Sequence, residues 1–176
     1  MKSRNMAQCA LFAALLTLCA WISIPMGDVA FTLQTFGVFL TLLLLGGKGG
    51  TVAIGVYLAM GAVGLPVFSG FRGGVGILLG ASGGYLFGFL LSGLLYGLVC
   101  SLGKNTPTAR FLGCCLGLFG CYCCGTAWFC LVYVPGEPMG LAAVLAKCVL
   151  PYLLPDLCKL WLAWLLSRRI SKEISA

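Results

Sequence analysis

The sequence predicts an all-α integral membrane protein, with a single domain over residues 1–176 that contains six transmembrane helices. Three features of the composition support this prediction: 61% of the 176 residues are hydrophobic, 9% are charged and 26 are glycine. A soluble domain of this composition would expose far too much apolar surface to water. A span needs about 20 apolar residues, so the length allows five or six spans. Glycine lets such helices pack closely.

Six apolar segments, separated by glycine, proline and charged residues, form the predicted spans. They cover residues 6–25, 34–47, 50–66, 83–103, 109–132 and 151–170. The first segment follows Lys2 and Arg4 and resembles a secretory signal peptide, but its apolar run is too long, so we expect an uncleaved span. The run from Gly46 to Gly50 predicts a tight turn between the second and third spans.

The distribution of basic residues predicts the orientation, because Lys and Arg collect on the cytoplasmic side of membrane proteins. With the N-terminus inside, the cytoplasmic side holds Lys2, Arg4, Lys48, Lys104, Arg110, Arg168, Arg169 and Lys172. The outer side holds Arg72 and Lys147, together with the long loops at 25–33, 64–84 and 134–150. Both termini are therefore predicted to be cytoplasmic. The net charge of +7 reflects this topology, and nucleic acid is not an expected partner.

Two charged residues, Asp156 and Lys159, interrupt the sixth segment three residues apart and hence on nearly the same helix face. A charge inside a membrane is costly unless it is paired or faces a polar cavity, so this pair is the first candidate site. The alternative is an ion pair that only fixes helix packing. Pro155 predicts that the helix is bent or begins at this point. Asp156 would then lie near a helix N-terminus, where negative charge is favoured.

The outer loop after the third segment supplies a second group of candidates. Phe68 offers an apolar wall, and the Arg72 guanidinium is suited to hold a carboxylate, although an arginine that only reaches the membrane interface fits equally well. Ser82, Gly83 and Gly84 open the fourth segment, where free backbone N–H groups form a nest for an anion or a carbonyl. This loop lacks the GK[ST] ending of a phosphate loop.

Other residue types argue against an enzyme. Histidine is absent from the sequence, and no hydrolytic, metal-binding or ATP-binding motif occurs. Five of the eleven cysteines lie along the fifth segment: Cys114, Cys115, Cys121, Cys123 and Cys124. We interpret them as small apolar side chains rather than as metal ligands or disulfides. Ala10 and Ala14 form a small-residue ridge on the first segment, which suits either a partner helix or internal packing.

Four stretches together resemble one family, the BioY proteins, which are biotin-specific S-components of energy-coupling factor (ECF) transporters. These stretches are 31–38 (FTLQTFGV), 57–68 (YLAMGAVGLPVF), 83–89 (GGYLFGF) and 150–159 (LPYLLPDLCK). One position departs from the family pattern: Gly-Pro-Thr-Gly-Gly is usual where this chain has Gly80-Ala81-Ser82-Gly83-Gly84. Ser82 keeps the hydroxyl, but the proline is lost.

The resemblance implies the S-component fold in a bacterial cell membrane, with biotin as the transported ligand and no cofactor. It also implies a transmembrane coupling protein and two cytoplasmic ABC-type ATPases as partners, the coupling protein facing Ala10 and Ala14. Asp156 and Lys159 would contact the ureido ring of biotin. The further contacts expected from the resemblance and from the chemistry of biotin are Thr32, Gln34, Phe68, Arg72, Ser82, Gly83, Gly84, Tyr85 and Trp128.

Three alternatives remain open at this level. The chain is compatible with an S-component for another small vitamin, because the fold is shared while the pocket is not read directly from sequence. It is compatible with a cysteine-dependent membrane redox protein. It is also compatible with a structural subunit in which Asp156 and Lys159 form a packing pair and no ligand binds.

Overall fold

The computed structural model describes residues 3–24, 30–133 and 141–175, which are almost entirely helical, as the sequence predicts. The elements in chain order are α1 Ser3–Trp21, β1 Ser23–Ile24, β2 Phe31–Thr32, α2 Gln34–Ala62, α3 Val75–Leu78, α4 Gly83–Leu102, α5 Pro107–Trp128, a π-helical segment Phe129–Tyr133, α6 Leu141–Cys148 and α7 Leu150–Ser175. The predicted outer loops fall partly outside the described residues, at 25–29 and 134–140, as does Lys2.

Helix α2 is a hairpin of two antiparallel halves. Gly46 has φ 75° and ψ 175°, a conformation that is essentially restricted to glycine. Gly50 lies against Leu42, and the Gln34 side chain bonds the Tyr57 hydroxyl at 2.6 Å. Both pairs are centred on Gly46, so the chain reverses there. The predicted turn is thus present, but it occupies the first residue of the glycine run, and the glycines that follow are helical.

Arg110, which was assigned above to the cytoplasmic side, contacts the end of this hairpin at which the chain reverses. Its guanidinium donates to the Leu43 carbonyl, and its Nε donates to the Tyr96 hydroxyl at 3.3 Å. Carbonyls at the end of a helix lack an intrahelical partner, and basic side chains often satisfy them. Arg110 therefore ties α5 to the end of the first half of α2.

Helices α4 and α5 pack in close contact through glycine. A Cβ atom at Gly88 would lie 2.9 Å from the Cys121 Cα, and one at Gly117 would lie 3.1 Å from the Ser92 Cβ. The Ser92 hydroxyl crosses the same interface and donates to the Gly117 carbonyl at 2.7 Å. This is the close backbone approach that small residues permit between membrane helices.

By length and hydropathy, three described helical stretches are able to cross a membrane: Gln34–Ala62, Gly83–Leu102 and Pro107–Leu131. These stretches, together with α1 and α7, surround one apolar core whose largest fully buried side chains include Tyr57, Tyr96 and Phe39. The chain is therefore a multi-pass membrane protein.

Helix α7 corrects one sequence-based expectation. It begins at Leu150 and contains Pro155, so the expectation that the helix begins at the proline is wrong. Asp156 lies in the second turn, whereas the favourable effect of a helix N-terminus on a negative charge fades within the first turn. The stabilisation of Asp156 must come from its side-chain partners.

Two short strands, not predicted from the sequence, form an antiparallel pair that leads from α1 into α2. Ser23 pairs with Thr32, and Ile24 pairs with Phe31. The Leu33 N–H extends the pairing with a bond to the Ile22 carbonyl at 3.1 Å. The pair holds β2 beside the first turn of α2, and this placement matters for the site described next.

Candidate ligand-binding site

A cavity opens where β2 and the N-terminal ends of α2, α4 and α7 meet the second half of α5. Its empty space, counted out to the mouth and including open solvent there, is about 720 Å³. Seven of the residues predicted from sequence line it: Thr32, Gln34, Phe68, Ser82, Tyr85, Asp156 and Lys159. The walls are mostly apolar, and Asp156 and Lys159 are the charged residues among them.

The ion pair of α7 is the polar centre of this cavity. Asp156 and Lys159 are 6% and 8% exposed, and the Lys159 Nζ lies 2.9 Å from the Asp156 Oδ1. The ammonium also donates to the Thr32 carbonyl at 2.6 Å and lies 3.8 Å from the centre of the Phe31 ring. Both charges are thus compensated inside the protein, as buried charges require.

The Tyr122 hydroxyl of α5 donates to the other carboxylate oxygen, Asp156 Oδ2, at 2.6 Å. Among the described residues, each oxygen of Asp156 therefore has one side-chain donor. Because the two oxygens of a carboxylate offer about four acceptor positions, capacity remains for donors from a ligand.

The wall formed by β2 and α2 is ordered by a chain of hydrogen bonds. The Thr32 hydroxyl donates to the Gln34 Oε1 at 3.1 Å, and the Gln34 Nε2 donates to the Tyr57 hydroxyl at 2.6 Å. The Tyr57 hydroxyl in turn donates to the Val67 carbonyl at 3.2 Å. This chain anchors the outer loop to the body of the protein and fixes the orientation of the Gln34 side chain.

Phe68 and Arg72 pair through an isolated antiparallel β-bridge in that outer loop but differ in burial. Phe68 is 1% exposed, and its ring packs on Gly61 and meets Tyr57 edge-on at 5.6 Å. Arg72 is exposed, its Nε donates to the Ser69 carbonyl at 3.2 Å, and its side chain is not part of the cavity lining. The expected contact between Arg72 and a ligand carboxylate stays a prediction.

Three residues predicted to contact ligand lie behind the cavity wall. The Trp128 Nε1 donates to the Gly80 carbonyl at 3.1 Å, and Gly84 packs against the Trp128 side chain. The Gly83 N–H donates to the Gly80 carbonyl at 3.0 Å, so it is not available to the predicted nest. None of Gly83, Gly84 and Trp128 lines the cavity. In the structure they hold the start of α4 against α5.

Tyr85 joins α4 to α6. Its hydroxyl donates to the Cys148 carbonyl at 3.2 Å, and its ring lies against Gly125. Ser82, one turn earlier, keeps a hydroxyl at the cavity wall although the adjacent family proline is replaced by Ala81. The side chains of Ser82 and Tyr85 are thus both placed to meet a ligand.

Several lining residues were missed by sequence reasoning, among them Tyr122, Tyr152, Phe89 and Cys121. A tyrosine within an apolar segment is weak evidence of a site, because aromatic residues are ordinary in membrane helices. The one available signal was helical spacing: Phe89 follows Tyr85 by one turn, and Tyr152 precedes Asp156 by one turn.

The cysteines of α5 form no metal site with other described residues. All eleven are free thiols, and no group of three His, Cys, Asp or Glu suited to a metal ion occurs among residues 3–24, 30–133 and 141–175. Cys114 is buried in the core, whereas Cys121 and Cys148 border the cavity. Ala10 and Ala14 are exposed on the outer face of α1.

Comparison with known proteins identifies the family. A model of the BioY family matches residues 1–176. The chain belongs to the BioY family. Among its BioY relatives, the "Biotin transporter BioY" of Thermotoga maritima is 39% identical over 175 residues, which cover 96% of each chain. The "Probable biotin transporter BioY" of Pyrococcus horikoshii is 36% identical and covers 97% of this chain and 98% of its own.

A solved structure supports the same assignment of this BioY chain. The crystal structure of "the S-component for biotin from an ECF-type ABC transporter" superposes with a TM-score of 0.84 at 27% sequence identity, covering 97% of this chain and 92% of that one. The fold is therefore that of an S-component. The family and this structural neighbour are transport proteins rather than enzymes, and the multi-pass BioY chain resides in the cell membrane.

Proposed function

We propose that this BioY chain binds biotin in the cavity around Asp156 and Lys159 and serves as the substrate-binding subunit of an ECF-type uptake transporter. The observation that carries the proposal is the buried ion pair, which lines a mostly apolar cavity and whose carboxylate has acceptor capacity beyond the two described donors. An ion pair that served only packing would have no reason to border a cavity. The biotin transporters among the relatives support this choice of ligand.

The chemistry of biotin matches the lining. The ureido ring carries two N–H donors and a carbonyl, so Asp156 accepts from an N–H and Lys159 donates to the ureido oxygen. The Lys159 ammonium already donates to the Thr32 carbonyl and to Asp156, and the ureido oxygen takes its third donor position or replaces Thr32. Phe68 and Tyr85 cover the apolar thiophane ring.

The carboxylate tail of biotin is placed toward the mouth of the cavity. Ser69 lines the cavity, and its carbonyl accepts from the neighbouring Arg72. A tail that passes Ser69 reaches the Arg72 guanidinium, which is suited to bind a carboxylate with two parallel hydrogen bonds. Trp128, Gly83 and Gly84 support this arrangement through packing rather than by direct contact.

The proposed topology has six spans and both termini in the cytoplasm. The two halves of α2 supply two of the spans, and α1, α4, α5 and α7 supply the other four. The cavity lies at the N-terminal ends of α4 and α7, whereas Lys48, Lys104 and Arg168 lie at the opposite end of the bundle. By the positive-inside rule this orientation directs the cavity outward.

The proposed partners are a transmembrane coupling protein and two cytoplasmic ABC-type ATPases. Ala10 and Ala14 are exposed on α1, so they do not serve packing within the described part of the chain, and a ridge of small residues allows another helix to approach closely. We assign the coupling protein to this face.

Substitution of each member of the ion pair tests the proposed site. Asp156→Asn and Lys159→Met each remove one charge-assisted contact and leave the other charge uncompensated, so we expect biotin affinity to fall at least about tenfold. Equilibrium dialysis of labelled biotin against the purified variants measures this change. Lys48→Met is the matched control, because Lys48 is exposed and far from the cavity. Undiminished affinity in both Asp156→Asn and Lys159→Met would refute the assignment.

A further inference from the structure

Tyr122 is a cavity residue that neither the charge pattern of the sequence nor the four stretches that resemble the BioY family single out. It lies on α5, whereas the ion pair lies on α7. Its hydroxyl donates to the Asp156 Oδ2 at 2.6 Å. Its side chain lines the same cavity as Asp156 and Lys159. The contact is short, as expected for a hydroxyl that donates to a carboxylate.

The two donors to Asp156 hold its carboxylate from different helices. Lys159 lies on α7 with Asp156 and donates to Oδ1 at 2.9 Å, whereas Tyr122 donates to Oδ2 from α5. Rotation of the carboxylate about its terminal bond would break both contacts, so the plane of the group is fixed. Its remaining acceptor positions then point in fixed directions, which lowers the entropic cost of binding a ligand donor.

Without the hydroxyl, only Lys159 would hold the carboxylate. A contact through one oxygen restrains the terminal torsion less than contacts through both, because the terminal torsion of an aspartate is intrinsically broad and roughly two-fold. The carboxylate would then sample orientations in which its free positions miss the ligand. Tyr122 thus affects binding through Asp156 and need not touch the ligand itself.

We propose that Tyr122 is a positioning residue that orients the Asp156 carboxylate toward a ureido N–H of the ligand. The inference rests on the proposed function, since it assumes that Asp156 receives a donor from biotin. It adds a residue from α5 to a recognition site otherwise assigned to β2, α2, α4, α7 and the outer loop.

Tyr122→Phe removes the hydroxyl and keeps the ring. We expect biotin affinity to fall about tenfold, the size of one hydrogen bond to a charged group, with the thermal midpoint close to that of the unaltered chain. Tyr96→Phe is the matched control, because its hydroxyl is also hydrogen-bonded but faces Arg110 at the other end of the bundle. If Tyr122→Phe fails to fold, Tyr122→Met serves as a second variant that lacks the hydroxyl.

A double-mutant cycle separates positioning from a general structural role. In the Asp156→Asn background, with dialysis extended to millimolar biotin, Tyr122→Phe should change affinity less than about twofold, because the residue through which it acts is already altered. An unchanged affinity in the single variant, or the full loss repeated in the Asp156→Asn background, would overturn the inference. Failure of the unaltered chain to bind biotin is a separate result that refutes the proposed function first.

Discussion

Single side chains at the cavity have two tasks, recognition and support, and Phe68 illustrates the second. Its ring fills the space above Gly61, borders the cavity and meets Tyr57 edge-on. Phe71, three residues later on the same loop, is 63% exposed, and its ring lies tilted against that of Trp21 with the ring centres 4.8 Å apart. The two phenylalanines therefore differ in burial while they share the loop.

Phe68→Ala should weaken both the fold and biotin binding, because removal of a buried phenylalanine typically costs about 3–5 kcal/mol through lost burial and the cavity left behind. The thermal midpoint in detergent and the affinity in dialysis report the two effects. Phe71→Ala is the matched control and should change both much less. Equal effects of the two substitutions would show that Phe68 has no special role in supporting the loop.

At the residue scale, the sequence predicts the charged part of the site better than its neutral part. Asp156 and Lys159 stand out because charges are rare in an apolar segment, and the structure buries them together at the cavity. Tyr122 gives no such signal, because its importance depends on α5 lying beside α7. Gly83 and Gly84 pack against Leu78 and Trp128, and their expected contact with a ligand stays a prediction.

The helices themselves follow closely from the apolar segments. The segments predicted at 83–103 and 109–132 correspond to α4 and to α5 with its π-helical extension. The reversal at Gly46 was also predicted, because a glycine run between two apolar stretches has few other uses. The two-residue strands β1 and β2 were missed, since two residues are too few to show the alternation that marks a strand.

The contact between α4 and α5 yields a prediction at this scale. Gly88→Ala places a Cβ atom 2.9 Å from the Cys121 Cα and should lower the thermal midpoint by about 2–12 °C, the effect of about 1–3 kcal/mol of overpacking. Gly55→Ala is the control, because its Cβ would meet one Leu90 carbon at 3.9 Å. Alanine favours a helix equally at both sites. A midpoint of Gly88→Ala at or above that of Gly55→Ala would contradict the described packing.

At the scale of the whole molecule, the cavity and the basic surface are separated along the helix bundle. The cavity and its polar centre lie at one end, and the basic residues that indicate the cytoplasm lie at the other, near the turn of α2 and the end of α7. The exposed ridge on α1 runs between them. Under the proposed function, this layout would bind the ligand at one end of the bundle and leave the side of α1 for the coupling protein.

The central claim concerns the isolated chain, which should bind biotin without an energising partner because the described cavity is built from its own residues. Labelled biotin is titrated against the detergent-purified chain, with excess unlabelled biotin and an unrelated vitamin such as thiamine as competitors. The account predicts saturable binding that only biotin displaces. Displacement by thiamine would indicate a different vitamin specificity, and the absence of saturable binding by a well-folded sample would contradict the account.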